Sequence, residues 1–143
     1  MRLRALEALA LALLAAGCGT VKSPTEPPPV AGTGPALRFA QIQGEVFTPV
    51  CAKAGCHAAS AASAGLVLEA GSAYANLVGE PSTERSGFDR VTPGAPERSY
   101  LILKLRGDPS ITGARMPLDG PPYLTSEQIE GIAAWIRSGA PND

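Results

Sequence analysis

The sequence has few of the residues that most often carry catalytic or metal chemistry: its 143 residues include one histidine, three cysteines and two methionines. A single histidine, with no visible nucleophile–base pair, leaves acid–base catalysis without its usual groups. Charge is also nearly balanced, with a net value of −1 and no basic run, which argues against nucleic-acid binding. The composition therefore predicts that the chain is not an enzyme of the proton-transfer type and does not bind nucleic acid.

Long apolar runs are also scarce, and the one candidate lies at the start of the chain. Two arginines precede an uninterrupted Ala/Leu run at residues 8–16, which is shorter than the ~20 residues of a membrane-spanning helix. The pattern matches a secretory signal, and the small residues before Cys18 resemble a bacterial lipobox. This resemblance implies that residues 1–17 are removed and that lipid is attached to Cys18. The alternative is a plain secretory signal, with Cys18 an ordinary cysteine.

Residues 18–36 are rich in Pro, Gly, Ser and Thr and have no apolar periodicity, which predicts an extended tether. Lipid on Cys18 would hold this tether to a membrane surface without spanning the bilayer. The expected location is therefore extracytoplasmic, in the periplasm or on the cell surface. Residues 37–143 are expected to form one small monomeric domain, and domains of this size often add a disulfide, a metal or a cofactor to a modest core.

Apolar spacing in this domain is typical of helices. An amphipathic helix is predicted from Arg38 to about Phe47, ended or kinked by Pro49. A second, of two turns, is predicted over residues 72–78, with its first serine as N-cap. Ser99 is expected to cap a third helix, YLILKLR, which a glycine ends.

The last helix has the clearest local signals. Thr125 and Gln128 form a capping box, and Gly139 ends the helix. Its predicted buried stripe consists of Ile129, Ile132, Trp135 and Ile136. We expect this helix to cross the first one, with Gly44 allowing a close approach.

Long Gly/Pro-rich loops join these elements, so the predicted fold class is all-α, with several short helices. Such loops are uncommon in a compact domain without a structural reason. A large apolar ligand at the centre would supply one, because loops can wrap it while helices provide a frame. The side chains expected to line it are Leu66, Leu68, Leu77, Tyr100, Leu101 and Leu105.

The segment CAKAGCH, from Cys51 to His57, holds two of the three cysteines and the only histidine. One interpretation is a disulfide between Cys51 and Cys56, the usual state of a cysteine pair in an exported protein. A zinc site is a second, although these residues supply only three of the usual four ligands. Covalent haem attachment is a third, in which the two thiols bind the vinyl groups and His57 ligates the iron.

The haem interpretation requires C-x-x-x-x-C-H spacing in place of the usual C-x-x-C-H. Ala54 and Gly55 are small enough to bulge outward, and glycine reaches backbone angles that other residues avoid. A haem that carries electrons also needs a second axial ligand, commonly a methionine thioether. Met116 is the one methionine after Cys18, and Pro117 stiffens the loop that presents it. The alternative is that Met116 only fills the core.

Three segments carry a family resemblance: VFTPVCAKAGCH, VTPGAPERSYLILKL and RMPLDGPPYLTSEQIEGIAAWIRSGAP. They resemble small class I c-type cytochromes, and more closely the planctomycete-type single-haem cytochrome c domains of bacterial surface proteins. The resemblance covers nearly all of residues 37–141 and implies a cytochrome c-like fold. It implies that Cys51 and Cys56 carry a covalent haem c. By the same resemblance, His57 and Met116 are the proximal and distal ligands.

The expected function is that of a membrane-tethered carrier of single electrons, which it exchanges with redox partner proteins. With both axial positions filled, no substrate binds the iron. Arg115, beside Met116, either pairs with a haem propionate or remains a solvated loop residue. The rival hypothesis is a haem-free surface lipoprotein, in which a Cys51–Cys56 disulfide supports a binding or interaction module.

Overall fold

The computed structural model describes residues 35–143, and within them the fold is all-α, as predicted. Four α-helices, one π-helix and two short 3-10 helices, Ser63–Gly65 and Pro96–Arg98, form its frame. The extended segments of this part of the chain meet only as isolated bridges. None of the helices in these residues has the length and apolar character needed to cross a membrane. The predicted signal peptide (residues 1–17), the lipidation site Cys18 and nearly all of the 18–36 tether lie outside the described residues.

The N-terminal helix begins as α1 (Phe39–Ile42) and continues as a π-helix over Gln43–Cys51. Pro49 lies inside this π-helix, so of the two outcomes predicted for it, an end or a kink before the cysteines, the end does not occur. In a π-helix each amide pairs with the carbonyl five residues back, which for position 49 is that of Gly44. Gly44 is exposed, so water can reach the carbonyl that the proline leaves without a donor. The helix therefore extends to the first cysteine of the CAKAGCH segment.

Two short helices, α2 (Ala73–Leu77) and α3 (Tyr100–Arg106), confirm two further predictions. Ser72 and Ser99 occupy their N-cap positions, but neither side chain bonds to its helix. The buried Ser99 hydroxyl instead bonds within the loop that precedes α3. Gly107 ends α3 in a left-handed conformation, with φ of 69°, which glycine adopts at little cost.

The helix α4 (Ser126–Arg137) confirms its prediction in detail. The Gln128 amide donates to the Thr125 hydroxyl at 3.2 Å, and the Thr125 amide donates to the Gln128 side chain at 2.9 Å. The predicted stripe is buried: Ile129, Ile132, Trp135 and Ile136. Gly139 follows with φ of 103°, where the chain leaves the helix.

Phe39 connects three helices through aromatic contacts. Its ring centroid lies 5.6 Å from that of Trp135 in α4 and 5.2 Å from that of Tyr74 in α2. The Phe47 ring, in the same N-terminal helix, lies 6.3 Å away. Aromatic pairs at such distances contribute roughly 0.5–1.5 kcal/mol each beyond their burial. The aromatic cluster therefore holds the N-terminal helix, α2 and α4 together.

The close approach to α4 occurs at Gly131, and the prediction that Gly44 provides it is wrong. A Cβ added at Gly44 would meet no atom within 4 Å. A Cβ added at Gly131 would lie 2.8 Å from Cγ of Leu37, which is closer than carbon atoms pack. The Leu37 amide also donates to the Gly131 carbonyl at 3.4 Å. The segment just before α1 therefore lies directly against α4.

We expect Gly131→Ala to be less stable than Gly44→Ala by about 1–3 kcal/mol, the usual cost of overpacking. Both substitutions introduce alanine into a helical segment and share its higher helix propensity, so the difference between them isolates the clash with Leu37. Urea denaturation followed by circular dichroism measures both free energies of unfolding. Equal values would contradict the contact between Leu37 and α4.

Candidate functional site

A cavity of about 210 Å³ is lined by the end of the N-terminal helix, by α3 and by the loops between the helices. This volume is many times the roughly 10–15 Å³ that admits one water molecule, so the cavity can hold a larger ligand. The six apolar side chains predicted to surround a central ligand all line it: Leu66, Leu68, Leu77, Tyr100, Leu101 and Leu105. A mostly apolar wall with a few polar groups is typical of binding sites for organic ligands and cofactors.

The two cysteines of the cysteine turn, defined as Cys51–His57, both line this cavity. The Cys56 amide donates to the Lys53 carbonyl at 3.0 Å. The His57 amide donates to the Cys51 carbonyl at 3.2 Å. Gly55 takes a left-handed conformation, with φ of 83°, in agreement with its predicted part in a bulge. The turn therefore accommodates four residues between the cysteines and still brings both of them to one cavity.

Cys51 and Cys56 are both free, half-buried thiols. Burial raises the pKa of Cys51 to about 11, although the nearby Lys53 ammonium acts in the opposite direction. The Cys51 thiol is therefore uncharged at neutral pH. No disulfide joins this pair in the structure, and both residues line the cavity.

The His57 ring is oriented by the extended segment that follows the turn. Its Nδ1 lies 3.1 Å from the Leu66 carbonyl oxygen, and a carbonyl only accepts hydrogen bonds, so Nδ1 carries the proton. The neutral imidazole then has its lone pair on Nε2. The Leu68 amide donates to the His57 carbonyl at 2.8 Å and fixes the backbone as well. His57 lines the cavity in the tautomer that ligates a metal through Nε2.

Met116 lines the same cavity from the methionine loop, residues 108–123, which joins α3 to α4. Its amide donates to the Lys104 carbonyl in α3 at 3.0 Å. Met116 itself is half-buried against the core, and Pro117 after it is buried. The structure thus brings the four predicted site residues to one cavity: Cys51, Cys56, His57 and Met116.

Arg115 is not among the described residues that line the cavity. Its Nε donates to the Leu105 carbonyl at 2.8 Å, and its guanidinium lies 4.2 Å from the ring centroid of Tyr123. Arg115 is therefore a half-buried anchor of the methionine loop. These contacts differ from the solvated loop residue that was one of the two predictions, while the pairing with a haem propionate stays a prediction.

Four charged residues that were not predicted as site residues also line the cavity: Glu84, Arg90, Lys104 and Asp119. The Arg90 guanidinium is bound to two backbone carbonyls at 2.8 and 3.1 Å, while Lys104 pairs with Glu84. Helical spacing could have predicted that Lys104 faces inward, because it follows Tyr100 by four residues and so shares the buried face of α3. Glu84 and Arg90 lie in an irregular loop, where no periodicity marks the inward-facing side chains.

A surface ion pair joins the cysteine turn to the methionine loop. Nζ of Lys53 lies 2.8 Å from Oδ2 of Asp119. Their hydrogen bond lowers the pKa of Asp119 and raises the pKa of Lys53. The side chains are 44% and 57% exposed, so the pair contributes little to stability. It does connect the two segments that carry the predicted site residues.

Among residues 35–143, no group of three or more His, Cys, Asp or Glu side chains could hold a metal ion. No protein-family model, curated protein or solved structure matches the chain. What this site can bind is therefore inferred from its own side chains: two thiols, one imidazole and one thioether around a mostly apolar cavity.

Proposed function

We propose that the chain is a membrane-tethered, single-haem c-type cytochrome, with a cytochrome c-like fold, that carries single electrons outside the cytoplasm. The observation that supports this most strongly is the meeting of both turn cysteines, His57 and Met116 at one apolar cavity. Residues 18–143 contain only one histidine and only one methionine. Packing alone does not explain why such scarce residues share one cavity. A covalently bound haem would explain it, because the two cysteines would attach the haem and the histidine and methionine would bind its iron.

The residues present fit a haem c. Cys51 and Cys56 are free thiols, as thioether bonds to the two vinyl groups require. His57 offers Nε2 as one axial donor, because its Nδ1 is bound to a backbone carbonyl. The Met116 sulfur offers the second axial donor. The apolar part of the wall would limit the contact of a bound haem with water, which is one of the factors that tune its reduction potential.

A bound haem supplies one-electron chemistry, by cycling its iron between the ferrous and ferric states. The chain's own residues supply attachment, ligation and exclusion of water. His57 and Met116 would both hold the haem iron, which would leave no position for a substrate. The domain is therefore proposed to carry electrons between redox partner proteins and not to catalyse a reaction.

The amino-terminal region determines where such a carrier would work. We infer that residues 1–17 are removed and that lipid on Cys18 anchors the domain to a bacterial membrane, in the periplasm or at the cell surface. Pro-rich stretches extend by ~3.1 Å per residue, so residues 18–36 would let a monomeric domain reach partners at some distance from its anchor.

Expression of the full chain with a cytochrome maturation system is expected to give a red protein whose haem stays attached on a denaturing gel. Haem staining and intact mass measure the attachment. The double substitution Cys51→Ser/Cys56→Ser is expected to abolish the stain, because no thioether bond can then form. Cys18→Ser, which removes the third cysteine, is expected to keep it.

A colourless wild-type protein would contradict the proposal. If its mass is also two hydrogens below that of the reduced chain, a disulfide has formed. That result would favour the rival function, a haem-free surface lipoprotein in which a Cys51–Cys56 bond supports an interaction module.

A further inference from the structure

Lys104 is a buried cation in α3, with 7% of its surface exposed. Its Nζ lies 3.3 Å from Oε2 of Glu84 and donates to the Thr112 carbonyl at 2.8 Å. A buried ammonium is costly unless it is both paired and hydrogen-bonded, and both conditions are met here. Through these contacts, one side chain fixes the Glu84 loop and the methionine loop to α3.

The backbone of Lys104 holds the methionine loop at a second point. Its carbonyl accepts the Met116 amide at 3.0 Å, so one residue of α3 binds this loop at both 112 and 116. Thr112 has two further partners. Its amide donates to the Tyr100 hydroxyl at 2.9 Å, and its hydroxyl donates to the Glu84 carbonyl at 3.0 Å. The segment from Thr112 to Met116 is therefore fixed at each end.

We propose that Lys104, together with Glu84, is a positioning residue for Met116. The ammonium holds Thr112, which fixes the start of the short segment whose other end presents the thioether to the cavity. The ligand role of Met116 rests on the proposed function. The ordering of the loop by Lys104 does not depend on a bound haem.

The hydrogen bonds that the methionine loop keeps after the Lys104 ammonium is removed indicate how much the loop should loosen. Gly113 and Ala114, between the two fixed points, are exposed, so they contribute little packing of their own. When the Lys104 side chain is replaced, Thr112 keeps its bonds to Tyr100 and Glu84. Arg115 and Met116 also stay bonded to backbone carbonyls of α3. Loss of the ammonium should therefore loosen the segment without detaching it, since more of the loop regains conformational freedom.

The test compares Lys104→Met with Arg106→Met in the matured full chain. Arg106 lies two residues later in α3 and pairs with Glu130 at the surface, so its replacement controls for loss of a charge from the same helix. Lys104→Met is expected to raise the hydrogen-exchange rates of the Thr112 and Met116 amides by about tenfold or more. It is also expected to weaken the sulfur-to-iron charge-transfer band and to lower the reduction potential. Arg106→Met is expected to change none of these.

Two further variants keep the test decisive if Lys104→Met does not fold. Glu84→Gln removes the counter-charge and nearly preserves the shape, so the same changes are expected at a smaller size. Lys104→Arg keeps a cation and is expected to recover slow exchange at Thr112. Unchanged exchange at positions 112 and 116 in a folded variant without the ion pair would overturn the inference. A rise no larger than that of amides throughout α4 would also overturn it, because it would indicate general destabilisation.

A wild-type protein without haem would remove the optical and potential readouts, and that result would count against the proposed function alone. The exchange comparison can then be made on the haem-free chain. It still decides whether Lys104 orders the methionine loop.

Discussion

Trp135→Ala is expected to lower the free energy of unfolding by about 3–5 kcal/mol, the usual cost of truncating a buried aromatic side chain. Trp135 has no exposed surface, and its ring lies 5.6 Å from that of Phe39. Truncation therefore leaves a cavity where α4 meets the N-terminal helix. The indole Nε1 also donates to the Pro141 carbonyl at 2.8 Å. The substitution thus removes two things: the packing of the ring, and a hydrogen bond that holds the C-terminal residues beside α4.

Two variants separate these causes. Trp135→Phe keeps an aromatic ring but removes the indole N–H, and a smaller loss of about 1–3 kcal/mol is expected. Tyr123→Ala removes a ring that is 38% exposed and is expected to cost less than about 1 kcal/mol. Trp135 is the only tryptophan, so circular dichroism suits the denaturation measurements better than fluorescence.

All variants need to be compared in the same haem state, because any ligand bound only to the folded chain adds to its apparent stability. A loss below about 1 kcal/mol for Trp135→Ala would place it among ordinary surface substitutions. It would contradict a central role for the aromatic cluster in holding the helices together.

Local signals are sufficient to predict α4 but not the end of the N-terminal helix. The cap, the buried stripe and the terminal Gly139 of α4 all lie within the helix or next to it. Apolar residues at helical spacing in the N-terminal helix are buried as well, at Phe39, Ile42, Val46 and Phe47, although Val50 is only half-buried. This spacing does not predict that the helix passes through Pro49, because rules for proline in helices assume pairing four residues back. The π-helical pairing depends on contacts that spacing does not encode.

Contacts between elements explain the other differences. Gly44 and Gly131 both lie in helical patterns, and the sequence does not specify which of them meets a neighbouring segment. Helical spacing places Lys104 on the buried face of α3, but lysine is usually solvated, so its burial requires a partner. That partner, Glu84, comes from an irregular loop. Pairing of this kind is a property of the tertiary structure, and residue spacing along the chain does not reveal it.

The candidate site is easier to predict than these contacts, because its residues are scarce. The cysteine turn places two cysteines and the only histidine next to each other in the chain. Met116 is singled out because no other methionine follows residue 18. That all of them line one cavity depends on how α3 and the methionine loop pack, which scarcity alone does not determine.

Met116→Leu is expected to leave the haem covalently attached while removing the sulfur-to-iron charge-transfer band. Leucine has nearly the volume of methionine, so the loss of stability should stay below about 1.5 kcal/mol, but it has no sulfur to bind iron. A thioether ligand favours ferrous iron, so the reduction potential is expected to fall. The fall should be on the order of 0.1 V or more, within the roughly 0.8 V range that axial ligands span. Absorption of the oxidised protein and a redox titration measure the two effects.

Leu118→Ala is the matched control, since Leu118 lies in the same loop and is 67% exposed. It is expected to retain both the band and the potential. If the wild-type protein shows no such band and Met116→Leu leaves the spectrum and the potential unchanged, the thioether is not a ligand, although the covalent attachment through Cys51 and Cys56 would stand. The distal position would then be open or weakly occupied. An open position favours reaction at the iron over simple electron transfer, so this one substitution separates a carrier from a haem enzyme built on the same cavity.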